Sequence, residues 1–463
     1  VDLWFQQQVE QSAEHERFDP ALSRRGMSAL GDAMAPARNQ EPWRYTNLES
    51  LLCNGTALTS QGRSREDLHA SVRSMVDDRS PGVVQMVFVD GVLSRQLSSA
   101  EMGSPEGFIG GGRSLVSHSS HIVGRVNELL APLPEIDIFT TTAMDSLGCG
   151  KLAALNQALF RDFACIYVPA AEEPPAVLGP AAQVNVTFVT TGASGACSSP
   201  RVLIKAGRNQ TLRVVETHVS LAPSDTSLSN GVCRVVLEDG ADVRHDLLQQ
   251  KSDTSRFVES LTAEVGPGAS YRLRVVQTGA CASRVNAAIS LLGSSASCEI
   301  STTMIADRQQ QLDTHSHIHH GAPSSTSRHR HKNVVAGTAE CVFKGSIQVD
   351  RAAQQTDSAQ ICRTLLLSKK AKAKVTPSLQ IKADDVSCSH GAAVTELDKN
   401  EVFYLGSRGL DDQEARRLLL VAFPQDLLEG LPGAAPKAYQ RVLDKLTSVA
   451  NAELRREEAS ATT

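Results

Sequence analysis

Residues 268–306, GASYRLRVVQTGACASRVNAAISLLGSSASCEISTTMIA, decide the fold, because short alternating segments follow small turn residues there. Two segments within this stretch, SYRLRVVQT and CEISTTMIA, place apolar side chains at every second position, which is the period of a β-strand. Segments of the same kind recur between about residues 185 and 395: QVNVTFVTT, TLRVVETHVSL, VCRVVLED, CVFKGSIQV and ICRTLLLS. The sequence therefore predicts a mainly β protein built from many short strands.

The turns ahead of these segments share a small or polar residue followed by alanine. Read from the alanines, the repeat spacings are 28, 27, 43 and 34 residues. Irregular repeats of this kind favour a solenoid, in which each coil buries its inner face against its neighbours. A β-sandwich is the alternative, but the many small and β-branched residues favour the tight stacking of a β-helix. The alanines are Ala241, Ala269, Ala296, Ala339 and Ala373.

Helical or mixed patterns flank the predicted β-helix. We therefore divide the chain into a mixed N-terminal region at 1–165, the β-helix core at 166–396 and a C-terminal helical domain at 397–463. In the first part, the run from Val83 to Leu97 predicts a hairpin that turns at Asp90-Gly91. A helix is predicted from Gly150 to Leu159, followed by a short strand.

Two amphipathic helices are predicted in the C-terminal part. The first has Asp411 as its expected N-cap, because acidic residues crowd its start. Its expected apolar stripe consists of Ala415, Leu418, Leu419 and Ala422. The second helix, AYQRVLDKLTSVANAEL, has its apolar stripe at Val442, Leu446 and Val449.

The composition excludes several classes of function. A net charge of -5 argues against a general nucleic-acid or membrane role, and no apolar run approaches the roughly 20 residues that span a bilayer. None of the ten cysteines forms a CxxC pair, so neither a zinc ribbon nor a ferredoxin-type cluster is encoded. Scattered cysteines in a chain this long indicate buried thiols of a reducing compartment.

No nucleotide-binding motif is present. The nearest string, DSLGCGKL, has Asp145 in place of the first glycine of a P-loop and Leu152 where Ser or Thr holds magnesium. GxSxG, HExxH and GxGxxG motifs are also absent. If ATP is required, another subunit must bind it.

The segment IKADDVSCSHGA, residues 381–392, carries the candidate site. In a strand, Cys388 and His390 point the same way, so the thiol and the imidazole could bind a soft metal or relay protons. No complete ligand set stands nearby, which predicts a half-site completed by another chain; a buried structural pair is the alternative. Asp384 and Asp385 would point to opposite faces of a strand, which favours a turn or cap role over an acid/base pair.

A histidine-rich run precedes this segment. His315, His317 and His319 would line one strand face, where they could bind zinc, nickel or copper. The favoured alternative is a polar, solvated strand face, because Asp313 is the one further ligand type beside the row.

Five segments resemble the SufD family, most closely its plastid members. They are EPWRYTNL at 41–48, KLAALNQAL at 151–159, AQQTDSAQICRTLLLS at 353–368, PSLQIKADDVSCSHGAAVTELD at 377–398 and VFYLGSRGLDDQEARRLLLVAF at 402–423. The paralogous SufB family shares the general core pattern, so a SufB-type chain is the alternative. EPWRYTNL and the ending ADDVSCSHGA favour SufD.

The resemblance implies a right-handed parallel β-helix between helical parts. It further implies a non-catalytic scaffold of a SufBCD-type complex that assembles iron–sulfur clusters. Such a chain pairs with SufB through the β-helices and carries the SufC ATPase on its C-terminal helices. Iron or a cluster would be held transiently at the SufB interface, with none bound permanently by this chain alone. In isolation the chain could form a homodimer, and neither nucleic acid nor membrane is an expected partner.

The resemblance also assigns residues. His390 is implied to lie at the SufB–SufD junction and to act with a SufB cysteine on the nascent cluster, as a shared metal ligand. Cys388 belongs to the same motif with a less defined role. The implied SufC contact comprises Phe403, Tyr404, Arg408, Gly409, Leu418, Leu419 and Phe423.

Two functions from other classes remain as alternatives. A β-helix enzyme acting on carbohydrate would need clustered carboxylates, for which Asp384 and Asp385 are the weak candidates. A metal-binding or metal-donor protein would use the histidine-rich run. The plastid likeness implies the chloroplast stroma, with a transit peptide removed from this chain, and the cytoplasm of a bacterium is the alternative.

Overall fold

Two long β-sheets form the core of the molecule. The computed structural model describes residues 20–30, 41–52, 65–76, 82–99, 102–103, 108–115, 147–170, 182–192 and 197–461. Successive long strands belong alternately to one sheet and to the other. Each coil therefore contributes one strand to each sheet, which is the architecture of a parallel β-helix and confirms the predicted fold.

The strands are β1 Val83–Val89, β2 Val92–Leu93, β3 Met102–Gly103, β4 Phe108–Gly111, β5 Ala164–Val168, β6 Ala182–Thr190, β7 Cys197–Ser198, β8 Arg201–Ala206, β9 Thr211–Ser220, β10 Leu228–Leu237, β11 Asp242–Gln250, β12 Arg256–Val265, β13 Ser270–Gln277, β14 Ala282–Leu291, β15 Ser297–Ala306, β16 Gln311–His320, β17 Thr326–Val335, β18 Glu340–Val349, β19 Thr356–Leu366, β20 Lys372–Ile381 and β21 Val386–Thr395. The described helices are α1 Pro20–Leu30, α2 Leu48–Leu52, α3 Arg65–Met75, α4 Gly112–Leu115, α5 Gly150–Leu159, α6 Lys399–Ser407, α7 Asp412–Ala422, α8 Leu431–Ala434 and α9 Pro436–Ala461, with 3-10 turns at Glu41–Trp43 and Gln425–Leu427.

The order of strands defines the two sheets. Sheet A runs β2-β1-β6-β9-β11-β13-β15-β17-β19-β21, and sheet B runs β20-β18-β16-β14-β12-β10-β8-β5-β4-β3, with β7 beside β10. From β9 onward every long strand is parallel to its neighbours. Because the sheets of a sandwich are antiparallel, the sandwich alternative is wrong. Both sheets also take in strands that lie ahead of residue 166.

The predicted repeat mixes the two sheets. Ala241, Ala269 and Ala296 precede β11, β13 and β15 of sheet A, so these alanines are equivalent. Ala339 precedes β18 of sheet B, and Ala373 lies inside β20 opposite Cys341. The spacing of 43 residues is longer than the others because Ala296 precedes a strand of sheet A, whereas Ala339 precedes a strand of sheet B.

The inner faces of the coils stack apolar residues of like position. Ala263, Ile289, Ile318 and Ile347 occupy matching positions on four successive strands of sheet B, and all are buried. Alternation places them inside because strand side chains point to opposite faces in turn. Ile289→Ala would cost about 2–5 kcal/mol, since the lost contacts leave a cavity.

The flanking elements largely follow the sequence patterns. β1 and β2 pair with Val89 opposite Val92, so the hairpin turns at Asp90 and Gly91, whose φ angles of 47° and 81° suit a type I′ turn. The side chain of Asp411 accepts a hydrogen bond from the Glu414 amide at 2.7 Å, which confirms the N-cap. No described helix is long and apolar enough to cross a membrane.

The last two long helices differ in how well their buried faces were predicted. In α9, Val442, Leu446 and Val449 are buried against the outer face of sheet A, as predicted. In α7 the buried residues are Ala415 and Leu420, so the predicted stripe is confirmed at Ala415 but wrong at Leu418 and Ala422. Leu418 and Ala422 are exposed and Leu419 is half-buried. Because Leu418, Leu419 and Leu420 are consecutive, the sequence does not show which of them faces the core, and so does not fix the orientation of α7 about its own axis.

Candidate functional site

The β-helix ends at β20 and β21, here called the open end. Among the described residues, β21 pairs on one side with β19, and β20 pairs on one side with β18. At the opposite end, both sheets finish in antiparallel strands of two residues, β2 and β3. Full-length edge strands present rows of free N–H and C=O groups, which are a template for pairing with another chain. The open end is therefore the surface best suited to a partner strand.

Cys388 and His390 lie on β21, at the open end. They stand opposite Ser358 and Gln360 of β19, which are buried and face the inside of the β-helix. The side-chain period then directs Cys388 and His390 inward too, as the sequence predicted. Cys388 is half-buried against the core, whereas His390 is exposed. Both side chains line the mouth of the β-helix, where the next coil would otherwise cover them.

The chemistry of this pair is incomplete within the chain. Burial, with a smaller contribution from the nearby Asp357 carboxylate, raises the pKa of the Cys388 thiol, so the thiolate that binds metal is disfavoured. Groups of three or more potential metal ligands occur in the described residues, but none of them includes Cys388 or His390. A metal held by His390 therefore needs ligands from elsewhere.

Apolar side chains are exposed around the open end and on the helices that follow it. A large exposed apolar side chain is informative when several occur on adjacent elements. At the open end, Val394 is 46% exposed. The exposed apolar residues of this region are Ile361, Ile381, Val394, Phe403, Tyr404 and Leu418.

The paired aspartates lie in the turn between β20 and β21. The Asp385 amide donates to the Gln354 side chain at 2.9 Å, and the Asp385 carbonyl accepts from the Gln355 amide at 2.6 Å. These backbone bonds fix the turn that starts β21. The turn role favoured by the sequence is confirmed, and both carboxylates are exposed.

The implied SufC-binding residues separate into two groups. Phe403 and Tyr404 on α6 are 78% and 57% exposed, and Leu418 on α7 is 50% exposed. The Arg408 guanidinium lies 5.3 Å from the centre of the Tyr404 ring, and Gly409, with φ of 95°, ends α6.

Two of the implied residues are engaged within the chain. The Phe423 carbonyl accepts a hydrogen bond from Lys332 at 2.7 Å, and its ring lies 5.1 Å from the same ammonium group. Leu419 is half-buried. Beside the exposed group, a cavity of about 820 Å³ opens between α6, α7, α9 and the end of β19, with Phe403 in its lining.

The histidine-rich run is largely buried rather than solvated. His315, His317 and His319 share the outer face of β16, as predicted. His315 is buried, and burial lowers the pKa of its imidazole well below the usual value. The His319 ring nitrogen contacts Asp350 at 2.7 Å. No group of three potential ligands in the described part of the chain contains any of the three.

The N-terminal segment 41–48, EPWRYTNL, covers the outer face of β14 and β16; we call this region the covered flank. The Arg284 guanidinium lies 3.9 Å from the centre of the Trp43 ring and donates to the carbonyls of Pro42 and Leu147 at 2.8 and 2.7 Å. Thr46 bridges Arg284 to the Asp313 carboxylate. Trp43 is buried, and nothing in the sequence pointed to the buried cation beside its ring.

Sequence reasoning also missed a set of ionisable residues inside the β-helix. The signal was present, because these residues stand at inward-facing positions of alternating strands, where apolar side chains are expected. The residues are Glu216, His218, Cys233, His245 and Glu259, and all are buried.

Comparison with known proteins identifies the family. Residues 188–423, about half of the chain, match the family described as SUF system FeS cluster assembly, SufBD core domain. The chain is 29% identical to the chloroplastic protein ABCI7 of Arabidopsis thaliana, over 86% of this chain and 79% of the relative. It is 28% identical to an iron–sulfur cluster assembly SufBD family protein of Synechocystis, over 88% and 86%. It is 26% identical to the iron–sulfur cluster assembly protein SufD of Escherichia coli, over 89% and 88%. The chain therefore belongs to the SufBD family of iron–sulfur cluster assembly proteins.

Proposed function

We propose that this chain is a SufD-type scaffold subunit that pairs with a SufB-type chain at its open end and binds a SufC-type ATPase through α6 and α7. The chain itself catalyses no reaction, and ATP hydrolysis belongs to the ATPase. The proposal includes the division of the chain into a mixed N-terminal region at 1–165, a β-helix core at 166–396 and a C-terminal helical domain at 397–463. The observation that carries it is that His390 lies exposed on β21, the last strand of a parallel β-helix, which pairs on one side only among the described residues.

Strand pairing supports the choice of the open end as the seam. A partner strand beside β21 or β20 would satisfy their free backbone groups and continue the sheet. The same docking would cover Ile381 and Val394, which are exposed in the free chain. Covering apolar surface while completing a hydrogen-bond ladder favours a stable subunit contact over a transient one.

His390 is the proposed contribution of this chain to the nascent cluster. An exposed imidazole at the mouth of the β-helix is accessible to ligands on the partner. Imidazole and thiolate together suit ferrous iron. Iron and sulfide are here the material being assembled, and the thiolate would come from the SufB-type chain. Cys388 is proposed in a supporting position only, since burial raises the pKa of its thiol.

The exposed side chains of α6 and α7 are the proposed ATPase contact. Phe403, Tyr404 and Leu418 project from two adjacent helices that follow β21 in the chain. Because these helices follow β21 directly in the chain, a movement of the bound ATPase would be passed to the seam. Localisation in the chloroplast stroma is proposed by analogy with the chloroplastic relative.

The test is reconstitution with both partners. The chain is co-expressed with SufB-type and SufC-type proteins, and we expect a ternary complex. His390→Ala should leave this complex intact but lower the yield of cluster by about tenfold, the scale typical for loss of a group that tunes a metal site. Ser389→Ala, on the opposite face of the same strand, is the matched control and should retain the yield. Failure to form the complex would exclude the scaffold role, and an unchanged yield with His390→Ala would exclude the proposed ligand.

A further inference from the structure

Five ionisable side chains converge inside the β-helix, several coils away from the open end. Glu216 and His218 on β9 and His245 on β11 face inward from sheet A, while Cys233 on β10 and Glu259 on β12 face them from sheet B. We call this group the inner cluster. Its surroundings are apolar: the Phe188 ring stacks on His218 at 5.0 Å, and the Phe257 ring meets it edge-on at 4.8 Å. An enclosed group of this kind needs compensation for its charge.

Hydrogen bonds account for one side of the inner cluster. Glu216 accepts from Nε2 of His218 at 2.7 Å and from Nε2 of His245 at 3.1 Å. Nδ1 of His245 then accepts from the Tyr271 hydroxyl at 3.0 Å. Burial by itself would raise the pKa of the Glu216 carboxyl, but the two imidazoles outweigh it and lower the pKa to about 2. Glu216 is therefore an ionised carboxylate held in fixed orientation.

Glu259 is left without such partners. Neither of its carboxylate oxygens has a hydrogen bond in the described residues, although the side chain is buried. Burial and then the Glu216 carboxylate raise the pKa of Glu259 well above its usual value, against a smaller lowering by the Ser260 amide. Nδ1 of His218 also lacks a donor within the same part of the structure. Oxygen and nitrogen ligands thus remain open in one enclosed space.

The backbone makes room for the Glu259 carboxylate. Gly231 of β10 stands opposite Glu259, and a Cβ at this position would lie 1.9 Å from the Glu259 oxygen. Any larger residue would expel the carboxylate from the cluster. Strand β10 therefore has a glycine, Gly231, at the position where the Glu259 carboxylate needs space.

The spacing of the ligand atoms suits a metal ion. One ligand atom each from Glu216, His218 and Glu259 lie within 4.8 Å of one another, and the same holds for Glu216, Cys233 and His245. Ligands about 2.1 Å from a tetrahedral ion are separated by roughly 3.4 Å. Shifts of the ligand atoms by about an ångström, through side-chain rotation, would therefore bring either group of three ligands into coordination distance.

We propose that the inner cluster binds one divalent first-row transition-metal ion, of the class of zinc and ferrous iron, through Glu216, His218 and Glu259, with Cys233 and His245 beside them. The ion supplies the partner that Glu259 lacks, and its positive charge offsets the repulsion between Glu259 and Glu216. Imidazole and thiol groups favour this class of metal over calcium and magnesium, which prefer oxygen ligands. The site is distinct from the proposed seam and does not depend on the proposed function.

Metal content is the direct test. Because the cluster is enclosed, the ion must be present while the chain folds. The full chain is expressed with added zinc, or refolded with Zn²⁺, then dialysed against a weak chelator and analysed by mass spectrometry for metal. We expect the wild type to retain about one ion per chain. Glu259→Gln, which keeps the shape of the side chain, should lower retention by at least about tenfold.

Two controls separate the inner cluster from other metal-binding residues. Glu264→Gln changes a carboxylate on the outer face of the same strand and should retain the ion. His317→Ala removes a histidine of the histidine-rich run and should also retain it. Absence of metal from the wild type after both preparations would overturn the proposal, as would full retention by Glu259→Gln. If circular dichroism shows that Glu259→Gln is unfolded, His218→Gln takes its place under the same criterion.

Cobalt reports on the ligands directly. The wild type refolded with Co²⁺ should show the visible absorption typical of a Co²⁺ ion with a low coordination number. This absorption should be lost in Glu259→Gln. A visible spectrum of fully hydrated Co²⁺ in the wild type would contradict an enclosed site. The same wild-type protein should unfold at a higher temperature with metal than without, because an ion bound only by the folded chain stabilises it.

Discussion

The covered flank and the open end both present strand surfaces that need completion, but the chain completes only the first. At the covered flank, residues 41–48 pack over β14 and β16, where the Pro42 carbonyl and the Trp43 ring contact Arg284, and the Leu147 carbonyl also accepts a hydrogen bond from it. At the open end, the described residues provide no second strand beside β21, and none of their groups of three potential metal ligands includes His390. Both regions carry segments that resemble SufD proteins. The contacts of the first segment lie within one chain, whereas the role proposed for the second requires a partner.

This difference predicts where mutations act. Changes at the covered flank should alter the stability of the free chain, because Arg284 and Asp313 are buried there and joined through Thr46. Changes at the open end should leave the free chain intact and alter its assembly. Each of the following substitutions tests whether the covered flank affects stability and the open end affects assembly.

The largest effect is expected from Arg284→Ala. The substitution leaves two carbonyls and the Asp313 carboxylate without their cation in a buried place, which costs about 3–5 kcal/mol of unfolding free energy. Denaturant unfolding measures the change. Arg328→Ala, which removes an exposed guanidinium paired with Asp357, is the control and should change stability by less than about 1 kcal/mol. Equal effects of the two substitutions would show that residues 41–48 do not lock the flank.

The contribution of the covered flank to the unfolding free energy should also depend on pH, through Asp313. Burial raises the pKa of Asp313 to about 7, despite opposing contributions from Thr46 and Arg284. Between the unfolded value near 3.8 and this folded value, the folded chain retains a proton that the unfolded chain has lost. Protonation therefore stabilises the fold at low pH, and the unfolding free energy falls as the pH rises from about 4 to about 7.

Asp313→Asn should remove this slope. The unfolding free energy of the wild type relative to the variant is expected to fall by about 2–3 kcal/mol between about pH 5 and pH 8. Denaturant unfolding at both pH values measures it. A constant difference between wild type and variant would show that Asp313 is ionised throughout, and that the flank is held as an ion pair.

At the open end, Val394→Lys should spare the free chain. Val394 is half exposed, so its replacement should change the unfolding free energy by no more than about 0.5 kcal/mol. In the complex, a charge placed within the seam should weaken binding of the SufB-type chain by about 2 kcal/mol, the scale of an interface hot spot. Leu292→Lys, at an exposed apolar residue in the turn after β14, is the control. Equal binding of the two variants would argue against the seam at β21.

The smallest effect on the fold is expected from Leu418→Asp. Because Leu418 is exposed, helix content should be unchanged, while retention of the SufC-type ATPase should fall by roughly tenfold if this helix face is its contact. Leu420→Ala on the buried face of the same helix should do the opposite, lowering stability by about 2–5 kcal/mol. Co-purification and circular dichroism together distinguish the two results.

The sequence predicted those features that depend on local chemistry. The hairpin at Asp90-Gly91 follows from two residues that accept positive φ, and the α9 face follows from an unambiguous spacing of Val442, Leu446 and Val449. The shared direction of Cys388 and His390 needed only the strand period. These features were predictable because few alternatives satisfy the same pattern.

Features that depend on which strands become neighbours were not predictable. Ala339 and Ala373 were aligned with sheet A because a β-helix repeat has two corners of similar composition. His315 was expected to be solvated, but it is buried in the folded chain. Glu216 and Glu259 meet only because β9 and β12 face each other across the interior, which no local pattern records.

Amide hydrogen exchange tests whether β21 pairs with a partner strand. Exchange of peptides from 386–395 is measured in the free chain and in the complex with the SufB-type partner, with peptides from β14 as the internal reference. We predict fast exchange of the β21 peptides in the free chain and strong protection in the complex, with β14 protected in both states. Equal exchange of β21 in the free chain and in the complex would contradict the account, because it would leave the edge of the β-helix unpaired.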